Sequence, residues 1–103
     1  MVDEADKRYE VVLTPDFLQD LEAAVRYVGE GLGSPQAARQ LYAAVREKVE
    51  GLALLPTAAV VRGFTADGRK RYAVSHKRYD IHYVVEGDVV RVTALKHQLQ
   101  DYR

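Results

Sequence analysis

Two apolar stripes at helical spacing, each preceded by a hydroxyl residue and a proline, constrain the fold of this chain most. Thr14-Pro15 and Ser34-Pro35 each pair a side chain that can cap a helix with a proline suited to the first helical turn. Apolar residues then recur at the period of one helix face. The two helices must pack as an antiparallel hairpin, because the connection between them is short. The stripes are Leu18, Leu21, Val25, Val28 and Leu32, then Ala38, Leu41, Val45, Val49 and Leu52.

Segments of alternating character on both sides of the helices predict strands. Tyr9 to Leu13 is a short β-rich run, and shorter strand candidates lie at 57–61 and 71–74. Alternation from Tyr79 to Val85 predicts a strand that packs one face on the helices, and Gly87 turns the chain into a return strand over about 88–95. The predicted fold class is α+β, with an N-terminal strand, an antiparallel helix hairpin and then a three- to four-stranded, mainly antiparallel sheet.

Length and composition limit the number of domains and the class of protein that the chain can form. The chain has 103 residues, 48% of them hydrophobic, which fits one globular domain over 1–103 with residues 1–7 frayed. It has no cysteine, so disulfide and thiolate chemistry are excluded. The acidic N-terminus lacks a signal pattern, and no apolar run approaches the roughly 20 residues that span a bilayer. We therefore expect a cytoplasmic protein with no membrane partner.

Charge is distributed unevenly along the chain. Residues 1–60 carry six Lys or Arg against ten Asp or Glu, a net charge of −4, whereas residues 61–103 carry nine against five, a net charge of +4. Five of these cations crowd together and are interleaved with tyrosines, a composition that can hold phosphates and stack on bases. A solvated polar loop would have the same composition. The cluster consists of Arg69, Lys70, Arg71, Lys77 and Arg78.

The three histidines predict no metal site. His76, His82 and His97 do not pair at helical spacing, and we expect neither a metal nor another cofactor. His82 lies in the middle of a predicted strand and fits a plain sheet residue. His97 follows the last predicted strand beside Lys96, where an imidazole could move a proton, although a lone histidine near a C-terminus is more often structural than catalytic.

Three stretches together resemble the RelE/ParE toxins of bacterial type II toxin–antitoxin systems. They are the opening 9–15 with Leu18, Asp20-Leu21 and Tyr27, the second helix with its end at Leu55-Pro56, and the segments 79–83 and 92–102. The resemblance covers nearly the whole chain and implies a toxin that a cognate antitoxin neutralises by wrapping across its helices and sheet. It also implies oligomers formed only through the antitoxin complex.

The resemblance implies two kinds of activity. One branch of the family cuts mRNA on the ribosome with the RNA 2′-OH as nucleophile, and the other inhibits DNA gyrase without cutting. In the first case Arg71, His97 and Tyr102 correspond to catalytic positions. Target-binding positions correspond to Arg69, Lys70, Lys77, Arg78 and Lys96.

Two departures from the nuclease branch bear on that choice. The position after the first tyrosine of the central strand, often arginine in that branch, is Asp80, and Gln98-Leu99-Gln100 replaces basic residues after His97. An anionic Asp80 would repel phosphate. We expect a toxin that acts as a ribosome-dependent mRNA endonuclease, and the alternatives are a gyrase inhibitor and a non-toxic antitoxin-binding module.

Overall fold

The computed structural model describes residues 8–99, so the expected fraying of residues 1–7 and the positions of Asp101 and Tyr102 lie outside it. Two α-helices are followed by four strands, and one strand precedes them. In chain order the elements are β1 (Glu10–Leu13), α1 (Pro15–Arg26), a π-helical turn (Tyr27–Gly31), α2 (Pro35–Gly51), a 3₁₀ turn (Pro56–Ala58), β2 (Val60–Phe64), β3 (Lys70–His76), β4 (Tyr79–Glu86) and β5 (Val89–His97).

Both helices begin at the capping residues that the sequence indicates. The Thr14 hydroxyl oxygen accepts from the Phe17 amide at 3.3 Å, and the Ser34 hydroxyl oxygen accepts from the Ala37 amide at 3.2 Å. Thr14 also donates its hydroxyl proton to the Val92 carbonyl at 2.8 Å. This second bond fixes the start of α1 to the sheet, so a local helix signal also sets the position of the helix layer.

The five strands form one mixed sheet in the order β1-β5-β4-β3-β2. β2 to β5 pair antiparallel in sequence, and β1 pairs parallel with β5, with Val11 opposite Val90. The α+β class is confirmed. The sheet has five strands rather than three or four because β1, which was expected to precede it, is one of its edges.

The core lies between the helices and one face of the sheet, here called the helix face. Tyr83 and Ile81 from β4 are fully buried there with Phe17 and Val45 from the helices. Tyr83 stacks on Tyr72 with ring centroids 5.5 Å apart. The predicted alternation of Tyr79, Ile81, Tyr83 and Val85 toward the helices is thus confirmed. The opposite side of the sheet carries the polar residues of β3, β4 and β5 and is called the polar face.

Candidate functional site

A groove of about 470 Å³ runs across the polar face. Strands β2 to β5 all contribute to it, so residues far apart in sequence meet there. We call it the polar groove. Its lining consists of Arg62, Arg71, Asp80, His82, Thr93, Ala94, Lys96 and Gln98.

Strand alternation explains why this lining is polar. Asp80 and His82 are the β4 residues that alternate with the core residues, and Lys96 lies directly opposite Asp80 on β5. The ladder is irregular between His82 and Tyr83, whose partners are Ala94 and Val92, so Thr93 is an extra residue in β5. Such a bulge keeps both ends of β5 in phase with the core while bringing one more polar side chain to the groove.

Asp80 is the buried anion of the polar groove. It is only 4% exposed. Its Oδ1 accepts from the Ser75 hydroxyl at 2.6 Å and from the Gln98 side-chain amide at 3.2 Å. Lys96, its cross-strand neighbour, instead has its Nζ 3.8 Å from Asp20 Oδ2. The donors that hold the Asp80 carboxylate are therefore neutral, and Lys96 does not form an ion pair with it.

Arg71 lies in the groove with its guanidinium against β2. Its Nη2 donates to the Arg62 carbonyl at 3.1 Å. The guanidinium packs against Gly63, where an added Cβ would lie 3.1 Å from Nη2 and where φ is +136°. Its Nε is buried and has no hydrogen-bond partner within residues 8–99. The lack of a side chain at Gly63 thus leaves room for the Arg71 guanidinium over β2. The Nε–H group of Arg71 is the donor that makes no hydrogen bond within the described residues.

His97 lies on the other face of the sheet from Arg71. The prediction that it follows the last strand is wrong, because β5 continues through His97, which pairs with Tyr79. The two rings meet edge-on at 5.2 Å, and His97 Nδ1 accepts from the Leu99 amide at 3.2 Å. Since Leu95 is in the core, a residue two positions later returns to the helix face. The sequence-predicted pair of Arg71 and His97 is not brought together.

The remaining predicted cations do not converge either. Lys77, with φ of +54°, and Arg78 form the exposed turn between β3 and β4. Arg69 and Lys70 lie at the opposite end of β3, where Arg69 Nε pairs with Asp67 at 3.2 Å. A strand of this length separates its ends by roughly 20 Å. Of the predicted residues, only Arg71 and Lys96 line the polar groove, and Tyr102 lies outside the described residues.

Six of the eight groove residues were not among the predicted site residues. They are Arg62, Asp80, His82, Thr93, Ala94 and Gln98. The alternation around Asp80 indicated that His82 shares its face, and that signal could have identified His82. The contributions of Thr93 and Gln98 depend on a bulge and on the length of the last strand, and no local pattern marks either feature.

The tyrosine beside His97 holds its proton more tightly than an ordinary phenol does. Burial, with a smaller contribution from Tyr27, raises the pKa of Tyr79 above its ordinary value. A phenol with a raised pKa stays protonated through the physiological range. Tyr79 and His97 therefore form an aromatic contact at the end of the sheet, on the side away from the cations of the groove.

A second groove, apolar and about 890 Å³ in volume, lies along the two helices beside β1. We call it the helix groove. Leu18 and Tyr42 lie in it with nearly half of each side chain exposed. Four of the five charged residues that line it form ion pairs, Arg26 with Glu22 at 2.6 Å and Arg46 with Glu50 at 2.9 Å, and the fifth is Glu30. The groove is therefore an apolar surface whose charged residues are mostly paired. No helix within residues 8–99 has the length and apolar character that crossing a membrane requires.

Comparisons with known proteins agree with this architecture. A chain of the chromosomal ParDE toxin–antitoxin system from P. aeruginosa superposes with a TM-score of 0.66 at 16% identity, covering 89% of this chain and 98% of that one. A chain of the toxin–antitoxin complex RelBE2 from Mycobacterium tuberculosis gives a TM-score of 0.62 at 18% identity, covering 92% and 97%. The fold is therefore the one found in toxin–antitoxin complexes.

Sequence gives the family itself. The family described as ParE toxin of type II toxin-antitoxin system, parDE, matches residues 11–102. No curated protein sequence matches the chain. Because the family match spans most of its length, the chain belongs to the ParE toxin family, and the RelE/ParE resemblance seen in the sequence is confirmed.

Proposed function

We propose that this toxin arrests growth by binding and inhibiting DNA gyrase, without cutting RNA. One observation carries the proposal: Arg71 and His97, the cation and the proton-transfer group that a nuclease site would combine, lie on opposite faces of the sheet. A residue cannot protonate a leaving oxygen held on the far side of the sheet. This arrangement favours a binding surface over a catalytic centre.

The charge of the polar groove supports the same proposal. Cleavage by a 2′-OH requires groups that orient the nucleophile, stabilise the phosphate charge and protonate the leaving oxygen around one phosphate. The groove instead holds the buried Asp80 carboxylate, which lies directly opposite Lys96 on the neighbouring strand. A fixed anion there opposes both the incoming phosphate and the charge that develops in the transition state.

Neutralisation by a cognate antitoxin is the second part of the proposal. The helix groove is apolar and lies on the opposite side of the sheet from the polar groove. A groove of this shape fits the apolar face of an amphipathic helix. Since Arg26 and Arg46 already pair with Glu22 and Glu50, we expect apolar contacts on Leu18 and Tyr42 to dominate the affinity. The antitoxin would thus bind as a helix, with little dependence on salt.

A ribosome-dependent mRNA endonuclease is the second candidate function. It is supported by Arg62, Arg71 and Lys96, three cations that line one groove, and by the unused Nε donor of Arg71. His82 lines the same groove and would be its proton-transfer group in place of His97. A non-toxic antitoxin-binding module would need only the helix groove.

Induction in cells separates these functions. We expect growth arrest with a DNA-damage response, intact mRNA, and loss of supercoiling by purified gyrase when the purified toxin is added. His97→Ala should remain toxic, because His97 does not face the groove. Codon-positioned mRNA cuts that disappear in Arg71→Ala or His82→Ala would instead establish the nuclease. A folded, well-expressed chain that leaves growth unaffected would leave only the antitoxin-binding module.

A separate variant tests whether the antitoxin docks in the helix groove. Leu18→Glu places a charge in the helix groove at a position that is 47% exposed, so the fold should tolerate it. We expect this variant to stay toxic and to escape neutralisation when the antitoxin is co-expressed. Neutralisation equal to that of the unaltered toxin would show that the antitoxin docks elsewhere.

A further inference from the structure

A second exposed apolar surface lies at the far edge of the sheet from β1. β2 is an edge strand, and within residues 8–99 its outer side has no partner strand. Three of its five residues are large, apolar and exposed: Val60 at 62%, Val61 at 41% and Phe64 at 65%. Exposed apolar edges of this kind favour the addition of another strand. We call residues Val60–Phe64 the β2 edge.

The two faces of the β2 edge differ in chemistry. Val61 lies opposite the core residue Tyr72, so Val61 belongs to the helix face, and Phe64 lies opposite Lys70, two residues before Tyr72, on the same side. Arg62 belongs to the polar face, where it lines the groove. A strand added here would therefore meet apolar side chains on one side and a cation on the other.

The charge of the β2 edge indicates which side chains an added strand should carry. Among the described residues Arg62, on the polar face, forms no ion pair. A carboxylate on the polar side of an added strand would lie beside Arg62, and opposite charges on neighbouring strands attract. A second copy of this chain fits less well, because an antiparallel β2–β2 pairing centred on Arg62 would place two arginines together.

The β2 edge and the helix groove are well separated. The helix groove includes Leu13 of β1, at one end of the strand order, and β2 lies at the other end. Four strand spacings separate these edges by about 19 Å. Partners at the two surfaces therefore make separate contacts with the toxin.

We propose that the β2 edge is the target-binding surface of the toxin, and that it adds an extended segment of the target protein as a sixth strand. The segment alternates carboxylate side chains, which face Arg62, with apolar side chains, which cover Val61 and Phe64. This proposal rests on the proposed inhibition of a protein target, and it adds the place and the chemistry of the contact.

A double variant, Arg62→Glu with Phe64→Glu, tests the surface in the intact toxin. Both side chains are exposed, so we expect an unchanged melting temperature. Growth arrest should be lost, gyrase binding should weaken at least tenfold, and the antitoxin Kd should stay within twofold. Arg62→Lys should retain toxicity. The matched control is Leu32→Glu with Arg39→Glu, which makes similar changes at exposed positions outside both grooves and should remain toxic.

Each other outcome has a defined meaning. Unchanged toxicity of the folded double variant would overturn the proposal. If toxicity is retained and the affinity for the antitoxin is weakened, the β2 edge belongs to the antitoxin interface, and the proposal is also overturned. A dimeric wild-type toxin that becomes monomeric in the variant would assign the edge to self-association and also overturn it. If wild-type toxin leaves gyrase active but growth arrest still requires Phe64, which lies outside the polar groove, the gyrase target fails and the binding surface stands.

Discussion

The two faces of the sheet differ by a single residue step along each strand. On β4, Tyr79, Ile81 and Tyr83 pack on the helices, while Asp80 and His82 between them line the polar groove. One face is closed by apolar packing, and the other collects hydrogen-bonded and charged groups. The same strand thus contributes to the core on one side and lines the polar groove on the other.

The difference separates the residues of the core from the surfaces that we propose to bind partners. Core residues such as Val45, Ile81 and Val90 are fully buried and are committed to packing. The exposed side chains of the helix groove, such as Leu18 and Tyr42, and those of the β2 edge lie outside that core, so we expect changes there to have little effect on folding. The effect of a substitution should therefore depend on the face that its side chain occupies.

The largest effect should come from the helix face. Phe17→Ala removes a ring that is 1% exposed, and we expect it to lower the free energy of unfolding by about 3–5 kcal/mol, because burial is lost and a cavity remains. Leu18→Ala is the matched control one residue later, at 47% exposure, and should cost much less. Urea unfolding of both variants measures the difference. Similar losses would show that the helix groove is part of the core.

Hydrophobic periodicity made the helix face predictable from sequence. Thr14-Pro15 and Ser34-Pro35 mark real helix starts, and the alternation from Tyr79 to Val85 gives the buried side of the central strand. These are local signals, since each depends on residues within a few positions. The parallel pairing of β1 with β5 was not predicted, because it joins segments nearly eighty residues apart.

The second-largest effect tests whether the polar face contributes to the stability of the fold. Asp80 is buried and accepts from Ser75 and Gln98, so Asp80→Ala leaves two donors without their acceptor. We expect the free energy of unfolding at neutral pH to fall by about 1–3 kcal/mol. Asp80→Asn keeps one acceptor oxygen and should cost less. If Asp80→Ala is as stable as the unaltered chain, the hydrogen bonds of Asp80 on the polar face contribute nothing to stability, and only the helix face stabilises the fold.

The composition of the polar site was harder to predict than its existence. The basic segment 69–78 indicated an anionic partner, but β3 separates Arg69 and Lys70 from Lys77 and Arg78 at its two ends. Only Arg71 of that segment lines the polar groove. Which side chains meet depends on strand length and on the bulge at Thr93, and neither follows from residue type alone.

The smallest effect concerns Tyr83, whose hydroxyl donates to the Pro56 carbonyl at 2.6 Å on the helix face. Burial, with a smaller contribution from Tyr72, raises the pKa of Tyr83 from 10.0 to about 12. Because the folded chain holds this proton more tightly than the unfolded chain, the resulting stability is fully present below pH 10 and is lost as the pH rises toward 12. Tyr83→Phe should therefore cost about 0.5–1.5 kcal/mol at pH 7 through the lost hydrogen bond.

The same variant should show a shallower fall in the free energy of unfolding above pH 10 than the unaltered chain, since it lacks the buried phenol that must ionise. The chain has seven tyrosines, so Tyr42→Phe, at 48% exposure, serves as the control and should leave both the neutral stability and the alkaline slope unchanged. Urea unfolding between pH 7 and 12 measures both quantities. An alkaline slope in Tyr83→Phe as steep as in the control would mean that another group, on either face, is responsible for alkaline unfolding.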